Sequence, residues 1–460
     1  MINTPDTTNG RSLKIFVLMN AALCILLCLI LTYLPAAAAD SKTEVVSPYT
    51  ELPKLLVLAM HKNAAVSVAL ERIKQAEEDL NKASAEFSPE LSVGGTARAN
   101  DDGRYGLDKN ETNALLNISQ TLYAGGSLTA NKRAAKMALS AQIAESTRMY
   151  QEVLQNVRVA YFECLRCVAL LQVANEALSL SEEHLHQAQS LFKGGMASRG
   201  DVLRVKVSVN QSKLDIVTAQ SRLDVAVTSL EQAVGVSVDR DKVIKKLPAG
   251  TVESLTPPVY IIPGNYVELA LAQRAEMRAY GFYRERAKSL VSAAKGQRAP
   301  RISLSGRLNS DEDANTLATG EWYVQLDVQW MLFDGGKMAA DVNKAKSAER
   351  EVIKQIELIA SQVTQEAKAA GINLQSAITK RDLAYEQMQT SKEDYRIALR
   401  RYDAQIGTNL DVLDARRSLI SSRTEYVNAV YDIAKAQSDL IYALGEDDVS
   451  VKSYNLNSAD

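Results

Sequence analysis

Two periodicities divide this chain. Over residues 321–333 the apolar and polar positions alternate, with Trp322, Val324, Leu326, Val328, Trp330 and Leu332 on one side and Tyr323, Gln325, Asp327 and Gln329 on the other. Earlier segments repeat the pattern. Leu91, Val93, Gly95, Ala97 and Ala99 oppose Ser92, Thr96, Arg98 and Asn100, and Leu116, Ile118 and Leu122 oppose Asn117, Ser119 and Thr121. A period of two is that of a strand with unlike faces, which predicts four strands at about 89–99, 114–123, 301–309 and 321–333. The remaining chain is helical in pattern. Ala345, Ala348, Val352, Ile356, Ile359, Val363, Ala367, Ala370, Leu374 and Ile378 advance by steps of 3, 4 and 4. That eleven-residue repeat keeps an apolar stripe nearly straight along the helix axis. Ser127 to Lys193 contains neither Pro nor Gly, which predicts a single helix of roughly 100 Å. A partner helix returns over 201–234, and further helices are expected at 49–86, 265–295, 338–402 and 411–444.

The pattern occurs twice. LYAGGS at 122–127 returns as LFDGGK at 332–337, DVL at 201–203 returns at 411–413, and Val234-Gly235 returns as Leu444-Gly445, all 210 residues apart. Upstream the offset is 211, pairing Pro89 with Pro300 and Ala59 with Ala270, so one residue was gained inside a strand or hairpin loop. The chain is thus a duplicated helix-strand-strand-helix-helix unit, a period too long for a solenoid. The predicted layout is a first repeat over 40–235, a linker over 236–263 with four prolines, a second repeat over 264–445 and a polar tail over 446–460.

Residues 1–39 read as a signal peptide. Arg11 and Lys14 precede an apolar run from Ile15 to Leu34, then Pro35 and four alanines. A retained membrane anchor is the alternative, because 20 apolar residues can span a bilayer. The net charge of −2 and the absence of a basic run speak against nucleic-acid partners. Cys164 and Cys167 lie three apart on a helix without further ligands at metal spacing, so packing, a local disulfide and redox chemistry are the readings open to them. His61, His184 and His186 are read as exposed helix positions, and neither a catalytic constellation, a cofactor motif nor a metal cluster is apparent. The sequence therefore favours transport or scaffolding over enzymatic activity.

The strands carry the sharper inference. Each is about 10 residues long, enough for a tilted strand to cross a bilayer, and Trp322 and Trp330 stand roughly 26 Å apart along the strand, a spacing suited to aromatics at two membrane interfaces. Four strands cannot close a barrel, and open edges are not tolerated in lipid, so a membrane-spanning sheet requires several copies of the chain. At the opposite end, Ser198 with Asp201 and Thr408 with Asp411 fit the helix-capping box. Asp414 lies one turn further in, on the face of Asp411, and in a cyclic assembly the pair would form an acidic ring at the mouth of a tube.

The leader, the duplicated unit, the LYAGGS and LFDGGK turns and the two DVL segments together resemble the TolC family of outer membrane efflux proteins. The resemblance implies a mainly α fold with a membrane β-barrel portion: a homotrimer, four strands per chain in one shared barrel embedded in outer membrane lipid, and long antiparallel helices forming a periplasmic α-barrel. It implies an exit duct of a tripartite efflux or type I secretion system, served by a periplasmic adaptor and an inner-membrane transporter. Asp411 and Asp414 match the family's acidic tunnel-entrance ring, and Asp201 with Tyr402 matches a link that holds the entrance shut. Gly200 and Gly407 stand where two further closing residues occur, which leaves Arg400 and Arg401 as candidate substitutes. Ala64 and Ala275 replace a proline that many relatives carry. The competing reading is a periplasmic coiled-coil adaptor tethered to the inner membrane by residues 15–34.

Overall fold

A computed structural model describes residues 52–99, 110–237, 262–312 and 319–446. The expected leader, most of the linker, and the tail beyond residue 446 lie outside them. In chain order the elements are α1 (Leu52–Lys62), α2 (Ala64–Ala85), β1 (Glu90–Ala99), β2 (Asn110–Ala124), α3 (Ser127–Lys193) and α4 (Arg199–Val234). The second half gives α5 (Tyr266–Gln273), α6 (Ala275–Gly296), β3 (Arg301–Glu312), β4 (Thr319–Gln329), α7 (Lys337–Asp403) and α8 (Asn409–Leu444). The duplication holds element by element: α3 and α7 are each 67 residues long, and α4 and α8 each 36.

The four strands form one antiparallel sheet in sequence order. Its register locates the extra residue of the first half. An offset of 211 carries Glu90 onto Arg301 and one of 210 carries Ser119 onto Gln329, and Glu90–Ser119 and Arg301–Gln329 are both directly opposed pairs. The gain therefore lies beyond the paired ends, between Ala99 and Asn110. Side chains on one face run in rows across every strand, Val93–Leu116–Leu308–Trp322 and Leu91–Ile118–Gly306–Val324. The reverse face carries Ser92–Asn117–Arg307–Tyr323. Apolar residues on the first face are exposed, and the outer edges of β1 and β4 have no strand partner among the described residues. The structure departs from expectation at Trp330, which lies just past the end of β4, where its indole N–H donates to the Arg298 carbonyl at 3.1 Å.

The first helix of each half is interrupted, where a single run was expected. The break falls at Asn63 and at Arg274, one offset apart. Asn63 caps α2 by accepting from the Ala65 N–H at 2.8 Å and donates to the Ala233 carbonyl at 2.7 Å. Packing explains both breaks, because the C-cap glycine of each half's last helix presses on them. A Cβ on Gly235 would sit 2.8 Å from Asn63 Cα, and one on Gly445 would sit 3.0 Å from Arg274 Cα. Both glycines have left-handed backbones, which only Gly adopts at little cost. Ala64 and Ala275 are first helical positions, where proline is preorganised, yet the breaks persist without it.

The core runs along the helices in separate clusters. One joins α1 to α3 and α4 through Leu56, Val157, Cys164 and Leu230. Another joins α5, α7 and α8 through Val363, Ala367, Leu374 and Leu440. The apolar stripe of α7 is thus buried from Val363 to Leu374, whereas Ala345, Ala348 and Val352 line an open groove of about 610 Å³ beside Tyr280 and Tyr283. Cys164 and Cys167 are free and buried. Desolvation raises both thiols, to about 12 and about 11, so they act as small core residues.

Candidate functional site

The two reversals, α3 to α4 and α7 to α8, build one end of the helical bundle. Each long helix closes in the same way: the Met196 N–H reaches the Leu191 carbonyl at 2.8 Å and the Ile406 N–H reaches the Arg401 carbonyl at 3.0 Å. The residue before each is left-handed, Gly195 in the first half and Gln405 in the second. Both capping boxes form. Asp201 accepts from the Ser198 hydroxyl at 2.7 Å and the Ser198 N–H at 3.3 Å, and Asp411 accepts from the Thr408 N–H at 2.9 Å. These bonds hold both carboxyls below their ordinary range, the Ser198 hydroxyl dominating at Asp201 and the Thr408 N–H at Asp411. The Arg401 charge also favours ionised Asp411. Asp411 and Asp414 are exposed on successive turns, and Asp414 pairs with Arg417 at 3.3 Å.

Asp201 and Tyr402 are neighbours without a hydrogen bond. Tyr402 is buried, its hydroxyl has no partner among the described residues, and desolvation followed by the Asp201 charge raises its pKa. The Asp201 carboxylate is instead engaged by Ser198, by Arg204 at 3.6 Å and by Asn409, whose amide donates to Asp201 Oδ1 and to its main-chain oxygen at 3.4 Å. Asn409 is buried and crosses from the second hairpin to the first.

A second crossing was not anticipated. Arg416 of α8 donates to Ser181 Oγ of α3 and to Ser208 Oγ of α4. Ser181 also meets Ser212 at 3.0 Å. Among the described residues no carboxylate pairs with this guanidinium, and burial lowers its pKa. His184, expected on the surface, is 1% exposed, with its ring edge-on to Tyr402 at 5.5 Å. Both ring nitrogens lack partners among the described residues, and burial, assisted by the Arg416 charge, pushes its pKa down to about 4. The imidazole is therefore neutral and acts as packing between hairpins. The sequence did hold a signal for this pair. His184 falls between Ser181 and Ala188 at helical spacing, and Arg416 lies on the stripe of Val412, Ala415 and Leu419, so both stand on buried faces.

Comparison with known proteins decides the family. The outer membrane efflux protein model matches residues 55–236 and 266–446, one segment for each structural repeat. The chain belongs to the outer membrane efflux protein family. It is 23% identical to outer membrane protein TolC of Salmonella enteritidis over 80% of this chain and 76% of the relative. The TolC of Vibrio cholerae is also 23% identical, over 85% and 87%. The crystal structure of the outer membrane protein VceC from Vibrio cholerae shares the fold with a TM-score of 0.71 at 22% identity, covering 86% of this chain and 96% of VceC. Family membership places the protein in the outer membrane, with its helices on the periplasmic side, and gives it an efflux role. It thereby rules in favour of the channel over the tethered adaptor. No described helix is long and apolar enough to cross a membrane.

Proposed function

We propose that three copies of this chain pool their sheets into one twelve-stranded barrel, continuous with a helical tube, and that the assembly is the passive exit duct of a tripartite efflux or type I secretion system. The carrying observation is a four-stranded sheet with an unbroken apolar face and two unpaired edges, mounted on helices 67 residues long. Such a sheet is stable in lipid only if its edges are closed. Exposed Trp322 and Trp330 serve as interfacial aromatics, and the junction of Trp330 with Arg298 marks the boundary on the helical side. An inner-membrane transporter supplies energy and selects cargo, and a periplasmic adaptor joins it to the reversal end, where Asp411 and Asp414 ring the mouth and favour cations. The protein itself catalyses no reaction in this scheme. The test is purification of the membrane-extracted protein. A detergent-dependent, heat-modifiable trimer that conducts ions in a planar bilayer supports the duct; a stable water-soluble monomer overturns it. In the same bilayer, Asp411→Ala with Asp414→Ala should weaken block by multivalent cations, and undiminished block would remove the ring.

A further inference from the structure

The halves of this chain touch one another along α3 with α6 and α8, and each residue of that contact has a counterpart in the other half. We propose that neighbouring copies repeat this contact, the second half of one copy receiving the first half of the next, and that near the reversals the seam between copies is ionic, with Arg199 and Lys206 of one copy against Asp411 and Asp394 of its neighbour. The proposal rests on the oligomeric duct described above, and it names the surface through which that oligomer assembles.

Burial at equivalent positions supplies the first argument. Within the chain, Val173 of α3 and Val427 of α8 belong to one cluster and are 2% and 0% exposed. The offset of 210 carries Val173 to Leu383 and Val427 to Val217, which are 62% and 63% exposed. Two large aliphatic side chains stand in water where their counterparts are fully packed, as expected if a second copy covers them. A parallel case lies on α2, whose Val68 is 51% exposed while its counterpart Ala279 on α6 is 1% exposed.

Charge supplies the second argument. Inside the chain Asn409 donates to Asp201, and their counterparts are Arg199 and Asp411. Arg416 donates to Ser181 and Ser208 beside His184, and the counterparts are Lys206, Ser391, Ser418 and Asp394. Ser391 and Ser418 already hydrogen-bond each other at 3.3 Å, a ready acceptor pair for an incoming ammonium. Arg199, Lys206, Asp394 and Asp411 are all exposed. Each neutral or singly charged contact between halves therefore becomes a pairing of opposite charges between copies, with both cations on one surface and both anions on the other. The sheet obeys the same rule. The Ile118–Gly306 and Leu116–Leu308 pairs of β2 and β3 transfer to β4 and the next copy's β1 as Val328 opposite Gly95 and Leu326 opposite Ala97, so the apolar face stays continuous. Salt screens exposed pairs and scarcely touches packed aliphatics, so high ionic strength loosens the seam between copies at the mouth while leaving its middle closed.

The experiment uses full-length protein extracted in detergent. Val217→Cys with Leu383→Cys, oxidised, should give a covalent ladder ending at the trimer. Val217→Cys with Ile397→Cys, displaced by four turns, should give none, and wild type with its buried Cys164 and Cys167 is the blank. Lys206→Asp should make trimer melting fall at low salt, and adding Asp394→Lys, neither of them a helix cap, should restore it. An amine cross-linker run in parallel separates the two levels of inference. Trimers by amine cross-linking with no ladder from the matched cysteines, or no rescue by the charge exchange, overturn this interface. Monomers by every method overturn the duct itself.

Discussion

Replacing Arg416 with Leu tests how the second hairpin is held to the first. The guanidinium makes two hydrogen bonds, to Ser181 and Ser208, each worth about 1.5–3 kcal/mol for a charged donor. Against this stands the cost of burying a cation without a counterion, which leucine does not incur. Ser181 keeps a partner after the change, because its hydroxyl also bonds the Ala177 carbonyl at 2.6 Å. The net loss is then about 1–3 kcal/mol per chain, or about 5- to 150-fold more frequent local opening. Hydrogen exchange measures this directly. Amides across residues 404–422 should exchange faster by that factor, while those around Ile433 to Leu444, packed in a different cluster, should not change. Arg416→Lys should fall between, since an ammonium cannot reach two hydroxyls with the fixed fork of a guanidinium. Unchanged exchange over 404–422, or an equal increase along all of α8, would refute the claim that this side chain joins the hairpins.

Tyr402→Phe should leave the thermal midpoint unchanged or raise it by the equivalent of up to about 1 kcal/mol, because it removes a buried hydroxyl that has no partner among the described residues; a clear fall would reveal a bond from that hydroxyl. His184 gives a pH signature. Its folded pKa of about 4 lies below the ordinary 6.5, so between these values the unfolded chain binds a proton that the folded one rejects. Stability is unaffected above pH 7 and falls on acidification, by about 2 kcal/mol at pH 5. Melting from pH 7 to pH 5 should therefore be steeper in wild type than in His184→Leu, and parallel curves would count against the buried neutral imidazole. Gly125→Ala should cost about 3 kcal/mol or more, since the residue is left-handed and a Cβ would lie 2.0 Å from the Gly296 carbonyl oxygen; a near-normal melting temperature would mean that this junction between sheet and helix yields easily.

Features governed by local chemistry were legible in the sequence. The absence of breakers between Ser127 and Lys193 gave α3 its full extent, and the S-x-x-D and T-x-x-D spacings gave both caps. Features governed by tertiary contact were not. At Asn63 the only local signal is its N-cap to Ala65, with lysine and alanines on either side; the close approach of Gly235, far along the chain, fixes the break there. His184 was misjudged for a related reason, and Arg416 was not singled out. A polar residue type suggests the surface and outweighed the helical spacing that sets both on buried faces, which the packing of α3, α4, α7 and α8 makes plain. The link between Asp201 and Tyr402 failed on a finer point, since the carboxylate is already taken by Ser198 and Asn409.

The single additional residue of the first half has a practical corollary. In α3 or α7 an insertion would rotate everything beyond it by about 100°, pulling the following side chains out of their packing sites over tens of ångströms. Between Ala99 and Asn110 it left both paired ends in step with those of the second half. That span is the place to graft a peptide epitope: antibody labelling of intact cells would then report which ends of the strands face outward, with assembly undisturbed.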